Sequence, residues 1–411
     1  MKKRIASALM AGALAVSALT ACGGSSSSAP AATTAASGSA DTTAAAAADA
    51  AAAADGDTIQ FGMIAPMTGP HALYGEAASN ATDLALKEIN EAGGIKIGDK
   101  SYTFECAVKC DDKSDSTEAI SAYNNCASYP IVAVIGSYAS SCTKSYSETA
   151  QNDGIIVITP QSTNASICVI GDYIFRTCFS DAAQGPAMAQ FLDEKIGAKK
   201  TAIIYAKDQD YCSGLYEAIA EYFDEKGAEY VVYECTSTDT DYSAQVSKAV
   251  AEGCDAIAYP NYLDTVPMLV QQARAAGFEG AIIGGDGWDG ADTTGLEKEF
   301  ENTYYLNHLD FADTDEKVQN FVTTYSDAYG TDSLVATASL YYDTIYMLKQ
   351  AIEEAGSTDP AVIKDALAKI GFDGVTGHVE FDENGDPIKA FTIETYKDGA
   401  VTYFDKVGGA N

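Results

Sequence analysis

Histidine and tryptophan are scarce. The chain has three His (His71, His308 and His378) and one Trp in 411 residues. So few imidazoles leave little material for a His-ligated metal or a His-based acid–base relay. Positive charge is scarce as well: 25 Lys+Arg stand against 59 Asp+Glu, a formal net charge of −34. Such a chain has little with which to neutralise a phosphate backbone, which argues against a nucleic-acid partner. Nor does it offer a polybasic patch for an anionic leaflet. Beyond the N-terminus no apolar run approaches the roughly 18 residues of a spanning helix. GxxxxGK[ST], GxSxG, HExxH and CxxC are all missing, which removes the phosphate loop, the nucleophile elbow, the zincin helix and the redox dithiol.

The N-terminus has the features of an address. Lys2, Lys3 and Arg4 precede a short apolar stretch from Ile5 to Leu19, as in an export signal. Leu19-Thr20-Ala21-Cys22 looks like the lipobox of bacterial lipoproteins, which makes residues 1–21 a signal peptide and Cys22 the lipidation site. Residues 22–57 are almost entirely Ala, Ser, Thr, Gly and Asp. They cannot bury enough surface to offset their ordering entropy and are expected to be a disordered tether. Nine further cysteines follow, an odd number, so full internal pairing leaves at least one thiol free. Cys106 and Cys110 fall four apart on an apparent strand, and their spacing does not suit zinc.

From Thr58 the pattern alternates between short apolar runs and helical periods. Strands are expected at Ile59–Ala65, Tyr102–Val108, Ile131–Ile135 and Ile155–Ile158, with helices between them. The alternation restarts with a helix expected at Gln184–Lys195, followed by strands at Thr201–Tyr205, Tyr230–Glu234, Ala256–Tyr259 and Ala281–Ile283. Helices are then expected at Glu316–Tyr329, Leu334–Ala355 and Ala361–Lys369, and a strand–turn–strand over Val375–Phe391 around Asn384-Gly385. Strands alternating with helices imply βαβ units and parallel sheets. The fold class expected is α/β, with two doubly wound parallel-sheet lobes. Ligands of such sheets sit beyond the carboxyl ends of the strands, so the cleft between the lobes is the place to search.

Gly285-Asp286-Gly287-Trp288-Asp289-Gly290 matches GxGxxG. Two Asp and a Trp inside it would repel and block a pyrophosphate, so it is not read as a dinucleotide site. Asp382, Asn384 and Asp386 form a D-x-N-x-D fragment, but Pro387 follows and no Glu stands at loop position twelve, so a hairpin turn explains it better than a calcium loop. The informative residues follow strands. Ser140 and Ser141 open a helix whose N–H groups, with their hydroxyls, suit a carboxylate. Gln161 and Thr163 lie in the next polar turn. Asp286 could supply a counter-charge for an ammonium. Tyr74, Tyr138, Tyr211 and Tyr262 occupy similar loops and could line a side-chain pocket, or each could pack on its own lobe. The set amounts to a trap for a zwitterion.

These residues also carry a family resemblance. The body, from Thr58 to Asp398, resembles the type I periplasmic binding proteins of ABC transporters, in the leucine/isoleucine/valine-binding branch. Phe61–Pro70 with Tyr74-Gly75 is similar to that family's opening strand and turn. Asn90-Glu91-Ala92-Gly93-Gly94-Ile95 is similar to its helix end, Asp111-Asp112 to its acidic pair, and Phe175-Arg176-Thr177 with Gln184-Gly185 to its crossover. Gln161 stands where small residues are usual, and Asp286 is shorter than the common Glu. The resemblance implies three crossovers between the lobes, near Ser180, His308 and Lys389. Lobe 1 would be 58–180 plus 308–388, and lobe 2 would be 181–307 plus 389–411. It further implies that Ser140 and Thr163 bind a carboxylate, that the Gln161 carbonyl, the Thr163 hydroxyl and Asp286 bind an ammonium, and that the tyrosines contact the side chain with Trp288 as a wall. It implies an exported, monomeric binding lipoprotein, held outside the cell membrane through Cys22, that carries an amino acid to permease subunits. No cofactor, metal or enzymatic activity is called for. A sensor module, or an importer of amides, urea or aromatic compounds, would use the same fold.

Overall fold

The computed structural model describes residues 54–55, 57–382 and 385–408. The expected signal peptide, Cys22, the tether up to residue 53 and the turn residue Asn384 lie outside the described residues. The tether's expected end at 57 needs revision. Ala54–Asp55 (β1) pairs antiparallel with Thr58–Ala65 (β2), because the amino end of β2 offers backbone groups that a returning chain can satisfy.

Two sheets organise the body. The first contains β1, β2, β3 (Ile95–Ile97), β4 (Lys100–Asp111), β5 (Ile131–Ile135), β6 (Ile156–Thr159) and β7 (Ile174–Arg176), in the order β3-β4-β2-β5-β6-β7 with β1 on β2. The second contains β8 (Lys200–Ala206), β9 (Glu229–Cys235), β10 (Ala256–Ala258), β11 (Ala281–Gly284), β12 (Thr303–Asn307), β15 (Ala390–Lys397) and β16 (Ala400–Gly408), in the order β16-β15-β12-β11-β10-β8-β9. The central pairs are parallel in both sheets, and their strands are short apolar runs buried on both faces, such as Ile131–Ile135 and Ala281–Gly284. Strand order reverses at β2/β5 in one sheet and at β8/β10 in the other, the crevices where wound sheets bind ligands.

Helices cover the sheets. They are α1 (Ala72–Glu91), α2 (Ser116–Cys126), α3 (Ser140–Asp153), α4 (Asp181–Gln190), α5 (Asp210–Lys226), α6 (Ser243–Ala251), α7 (Val266–Ala275), α8 (Glu316–Tyr329), α9 (Ala336–Ala355) and α10 (Pro360–Leu367). Asp115 and Asp359 cap α2 and α10 through their carboxylates. The chain leaves the first sheet after β7, returns from the second after β12 to build α8, α9 and α10, and re-enters the second at β15.

Several elements differ from their sequence expectation. The helix expected at Gln184–Lys195 starts at Asp181 and ends in a π-helical turn, Phe191–Ile196. β12 and β7 were not anticipated, since runs of five and three residues carry too little periodicity. Over Val375–Phe391 the chain forms a hairpin of β13 (Phe372–Gly374) and β14 (Gly377–Val379), then one bridge from Phe381 to Pro387, before β15. β15 and β16 extend the second sheet antiparallel, and β16 is an edge strand carrying exposed Val401, Tyr403 and Phe404. All nine thiols are unpaired, with Cys126 Sγ lying 3.7 Å from Cys110 Sγ.

At the β12/β15 junction Asn307 Nδ2 donates to Glu394 Oε2 at 2.8 Å. Burial, reinforced by the charge of Asp289, pushes the Glu394 carboxyl up to about 8. The native chain therefore keeps a proton there that an unfolded glutamate releases near pH 4.3. The native state binds more protons, so this group costs stability as pH rises from about 4.3 to about 8. Glu394→Gln should stabilise the protein at pH 8 by roughly 1–3 kcal/mol and by much less at pH 5, measured by thermal unfolding at both values.

Candidate ligand-binding site

The site residues stand beyond the carboxyl ends of parallel strands, at or next to the two reversal points. Tyr74 follows β2; Tyr138, Ser140 and Ser141 follow β5; Gln161 and Thr163 follow β6. From the other sheet, Tyr211 follows β8, Tyr262 follows β10, and Asp286 and Trp288 follow β11. All are buried except Ser141, which is half-buried.

Hydroxyls tie the first-lobe loops together. Thr143 Oγ1 lies 2.7 Å from Ser162 Oγ and accepts from Ser137 N, while Thr159 Oγ1 and Ser162 Oγ donate to the Ser137 carbonyl. Below the second loop lies Arg176, fully buried. It donates to the carbonyls of Ser162 (3.1 Å) and Asn164 (2.9 Å) and pairs with Asp386 at 2.7 Å. The loop's shape is thus set by strong, charge-assisted bonds. α3 begins at Ser140 with no side-chain cap. Ser140 Oγ instead accepts from Asn164 N at 3.2 Å, and Ser141 Oγ donates to Gln209 Oε1 of the second lobe at 3.4 Å.

The four tyrosines do not pack each on its own lobe. Tyr74 stacks on Tyr138 (ring centroids 4.1 Å apart), Tyr138 meets Tyr262 (5.6 Å), and Tyr262 stacks on Tyr211 (4.8 Å). His71, which sequence reasoning passed over, joins them 4.6 Å from Tyr262 and 5.6 Å from Tyr138. Burial pushes all four hydroxyls up, so they remain protonated donors at neutral pH. Tyr74 donates across the cleft to the carbonyls of Gly287 (3.2 Å) and Asp289 (2.7 Å). His71 with Asp264, Asn164 with the Asp210 carbonyl, and Ala336 N with Asp289 Oδ2 also join the lobes. The cleft is closed. Beyond Tyr262 the inter-lobe space continues as a cavity of about 160 Å³ edged by Ser114, Gln209, Asn261 and Asp264.

Asp286 is held from three sides. Gln184 accepts from its backbone N–H (2.8 Å) and donates to Oδ1 (3.2 Å), while His308 Nε2 reaches Oδ2 at 3.0 Å. His308 stacks on Phe179 at 3.8 Å, and Phe179 touches Phe391 at 4.5 Å, so segments from all three passages between the sheets meet at this carboxylate. The GxGxxG stretch works through close approach. A Cβ on Gly285 would lie 2.3 Å from Gln184 Oε1 and 2.5 Å from the Tyr211 hydroxyl, and Gly290 adopts a positive φ of 80° against Leu73. Trp288 is fully buried, donates to the Tyr259 carbonyl at 2.9 Å and packs edge-on against Tyr259, so its partners are second-lobe residues.

The profile of the periplasmic binding protein family matches residues 58–400. The chain belongs to this family. Its fold is that of the type I periplasmic binding proteins, with a TM-score of 0.79 to a leucine binding protein from Thermotoga maritima, 30% identical over 85% of this chain and 99% of that one. A branched-chain amino acid transporter substrate binding protein from Streptococcus pneumoniae, in complex with isoleucine, gives 0.77 at 29% identity over 85% and 99% of the two chains. The leucine-, isoleucine-, valine-, threonine- and alanine-binding protein of Pseudomonas aeruginosa is 27% identical over 343 residues, 83% of this chain and 90% of that protein. A solute binding protein of R. palustris in complex with benzoate shares the fold at a TM-score of 0.75 and 20% identity.

In this periplasmic binding protein one acid escaped the sequence reading. Asp181 opens α4 and its N–H donates to the Thr163 carbonyl at 2.7 Å. It is 1% exposed, and neither carboxylate oxygen makes a hydrogen bond of standard geometry, although the Thr163 hydroxyl is close enough to favour the charged form. Burial first, then the charge of Asp286, holds the Asp181 carboxyl well above the usual range. Only its place at a helix start, five residues after Arg176, could have marked it in the sequence.

His308 is a buried base. Burial pulls it below its ordinary value of 6.5, against the opposing pull of Asp286. The unfolded state therefore binds this proton first, and the group's contribution to stability falls away as pH drops below about 6.5. Melting curves between pH 7 and pH 5 should show a steeper acid loss for the wild type than for His308→Gln. Parallel slopes would contradict this.

Proposed function

We propose that the chain is the substrate-binding component of an ABC importer, which captures an amino acid in the inter-lobe cleft and delivers it to the permease. One observation carries the reading: several polar side-chain atoms buried in the post-strand loops and at the start of α4 make no hydrogen bond of standard geometry. They are the Thr163 hydroxyl, one end of the Gln161 amide, the Tyr138 hydroxyl and both Asp181 oxygens, with Asp286 adjoining. Buried groups of this kind need partners. A zwitterion supplies them. Its carboxylate pairs with Thr163, Ser140 and the first turn of α3, and its ammonium pairs with Asp286, the Gln161 carbonyl and Asp181. The rings of Tyr74, Tyr138, Tyr211 and Tyr262 contact the side chain, with Trp288 as a wall behind. Three of the relatives named above, those from Thermotoga maritima, Streptococcus pneumoniae and Pseudomonas aeruginosa, support the same ligand class, while the benzoate protein shares the fold alone.

Ligand meets the open form at one lobe, then bridges both, and its differential affinity favours closure. The bonds from Tyr74 to Gly287 and Asp289 are formed only when closed, so they report that state. The closed monomer docks on the permease. Cys22 carries the lipid, and the Ala/Ser/Thr tether lets the body reach from the outer face of the cell membrane. No chemistry on the ligand is part of this reading.

Asp286→Ala should weaken amino-acid binding at least tenfold, about 1.4 kcal/mol, by isothermal titration calorimetry. Asp181→Asn should weaken it by a similar factor if both acids face one ammonium. Unchanged affinity in both would remove the zwitterion reading. A thermal-shift screen of the full chain against the twenty amino acids, small amides, urea and benzoate tests the class. A ligand at 100 times its dissociation constant adds about 2.7 kcal/mol. Stabilisation by amides, urea or benzoate alone would reassign it.

A further inference from the structure

The walls of the cleft speak to the ligand's side chain, an inference that rests on the amino-acid reading above. The four tyrosine rings touch one another from lobe to lobe, at centroid distances of 4.1, 5.6 and 4.8 Å, with His71 filling the remaining side at 4.6 Å from Tyr262. Shape alone does not separate leucine from the isosteric asparagine, so the polar groups beside the rings decide the side chain. The surface the rings border is not purely apolar. The Gln161 amide is 3% exposed; Thr337 Oγ1 holds its Oε1 end at 2.5 Å, and its Nε2 has no partner. Gln161 belongs to the loop after β6 and meets the start of α9, whose Ala336 N–H bonds Asp289 across the cleft at 2.6 Å. The Tyr138 hydroxyl makes no hydrogen bond of standard geometry, with only the Tyr74 hydroxyl close enough to act on it. A branched aliphatic ligand would close over these groups and leave them unsatisfied, whereas a ligand with its own polar atom would satisfy them.

We infer that the cleft selects an amino acid whose side chain carries a hydrogen-bonding group, as in serine, threonine or asparagine, and that Gln161 and Tyr138 are the residues that impose the choice. Gln161 donates to the side-chain oxygen, and Tyr138 offers a second hydrogen-bonding group. The polar edge of the adjoining 160 Å³ cavity fits the same class.

Calorimetric titration of the full chain with serine, threonine, asparagine, alanine, leucine, isoleucine and valine decides the matter. At least one of the three polar amino acids should bind tenfold or more tighter than all three branched ones. In Gln161→Leu the serine-to-alanine affinity ratio should fall at least fivefold. In Tyr138→Ala the leucine-to-serine ratio should rise at least fivefold. Leucine, isoleucine or valine binding as tightly as the polar set would overturn the inference and leave the amino-acid reading standing. Silence to every amino acid would instead overturn that underlying reading. The wild-type ranking alone is decisive should either variant fail to fold.

Discussion

A carboxylate with almost no water around it must be held by something, and Asp286 is the group on which this structure turns. It sits 3% exposed where the three inter-sheet segments converge, with Gln184 bonded to both its backbone and its side chain and His308 on its second oxygen. An uncompensated charge there would cost several kcal/mol. The Gln184 amide and the His308 ring hold it. Burial keeps His308 below its ordinary value and therefore neutral at pH 7, so the acid remains available to a cation from outside.

The opposite wall follows the same logic with opposite polarity. Arg176 lies under the Ser162–Asn164 loop and spends its donors on two carbonyls, while Asp386 balances it. The loop is rigid before any ligand arrives. The hydroxyls of Thr143, Thr159 and Ser162 are satisfied by one another and by the Ser137 backbone, and the neighbouring Thr163 hydroxyl takes no part in that network. Pre-paid order of this kind lowers the entropy lost on binding. The lobes meet through hydrogen bonds and ring contacts, with no strand paired from one sheet to the other.

Much of this was legible in the residues. Runs such as Ile131–Ile135 and Ala281–Ile283, bounded by Gly and followed by polar turns, read as buried parallel strands because both of their faces must be apolar. Post-strand loops then marked Ser140, Gln161, Thr163 and Asp286, since wound sheets aim those loops at the ligand. The strands that escaped are the weakly patterned ones. β12 is five residues long, and β16 is an edge strand with one open side and no need to be apolar throughout.

Local pattern by itself determined the α/β class, the two wound sheets and the loops that carry the chemistry, because periodicity and turn residues act over a few positions. Tertiary structure alone decided which of those residues meet. Tyr74 lies more than 130 positions from Tyr211, yet both belong to one chain of touching rings, and His308 finds Asp286 from a different strand end. The buried acid Asp181 is marked in the sequence only by its place at a helix start; its significance comes from desolvation and from the neighbours that the fold supplies. Those are long-range quantities. They exist only once two sheets, far apart in the chain, have closed on a common cleft.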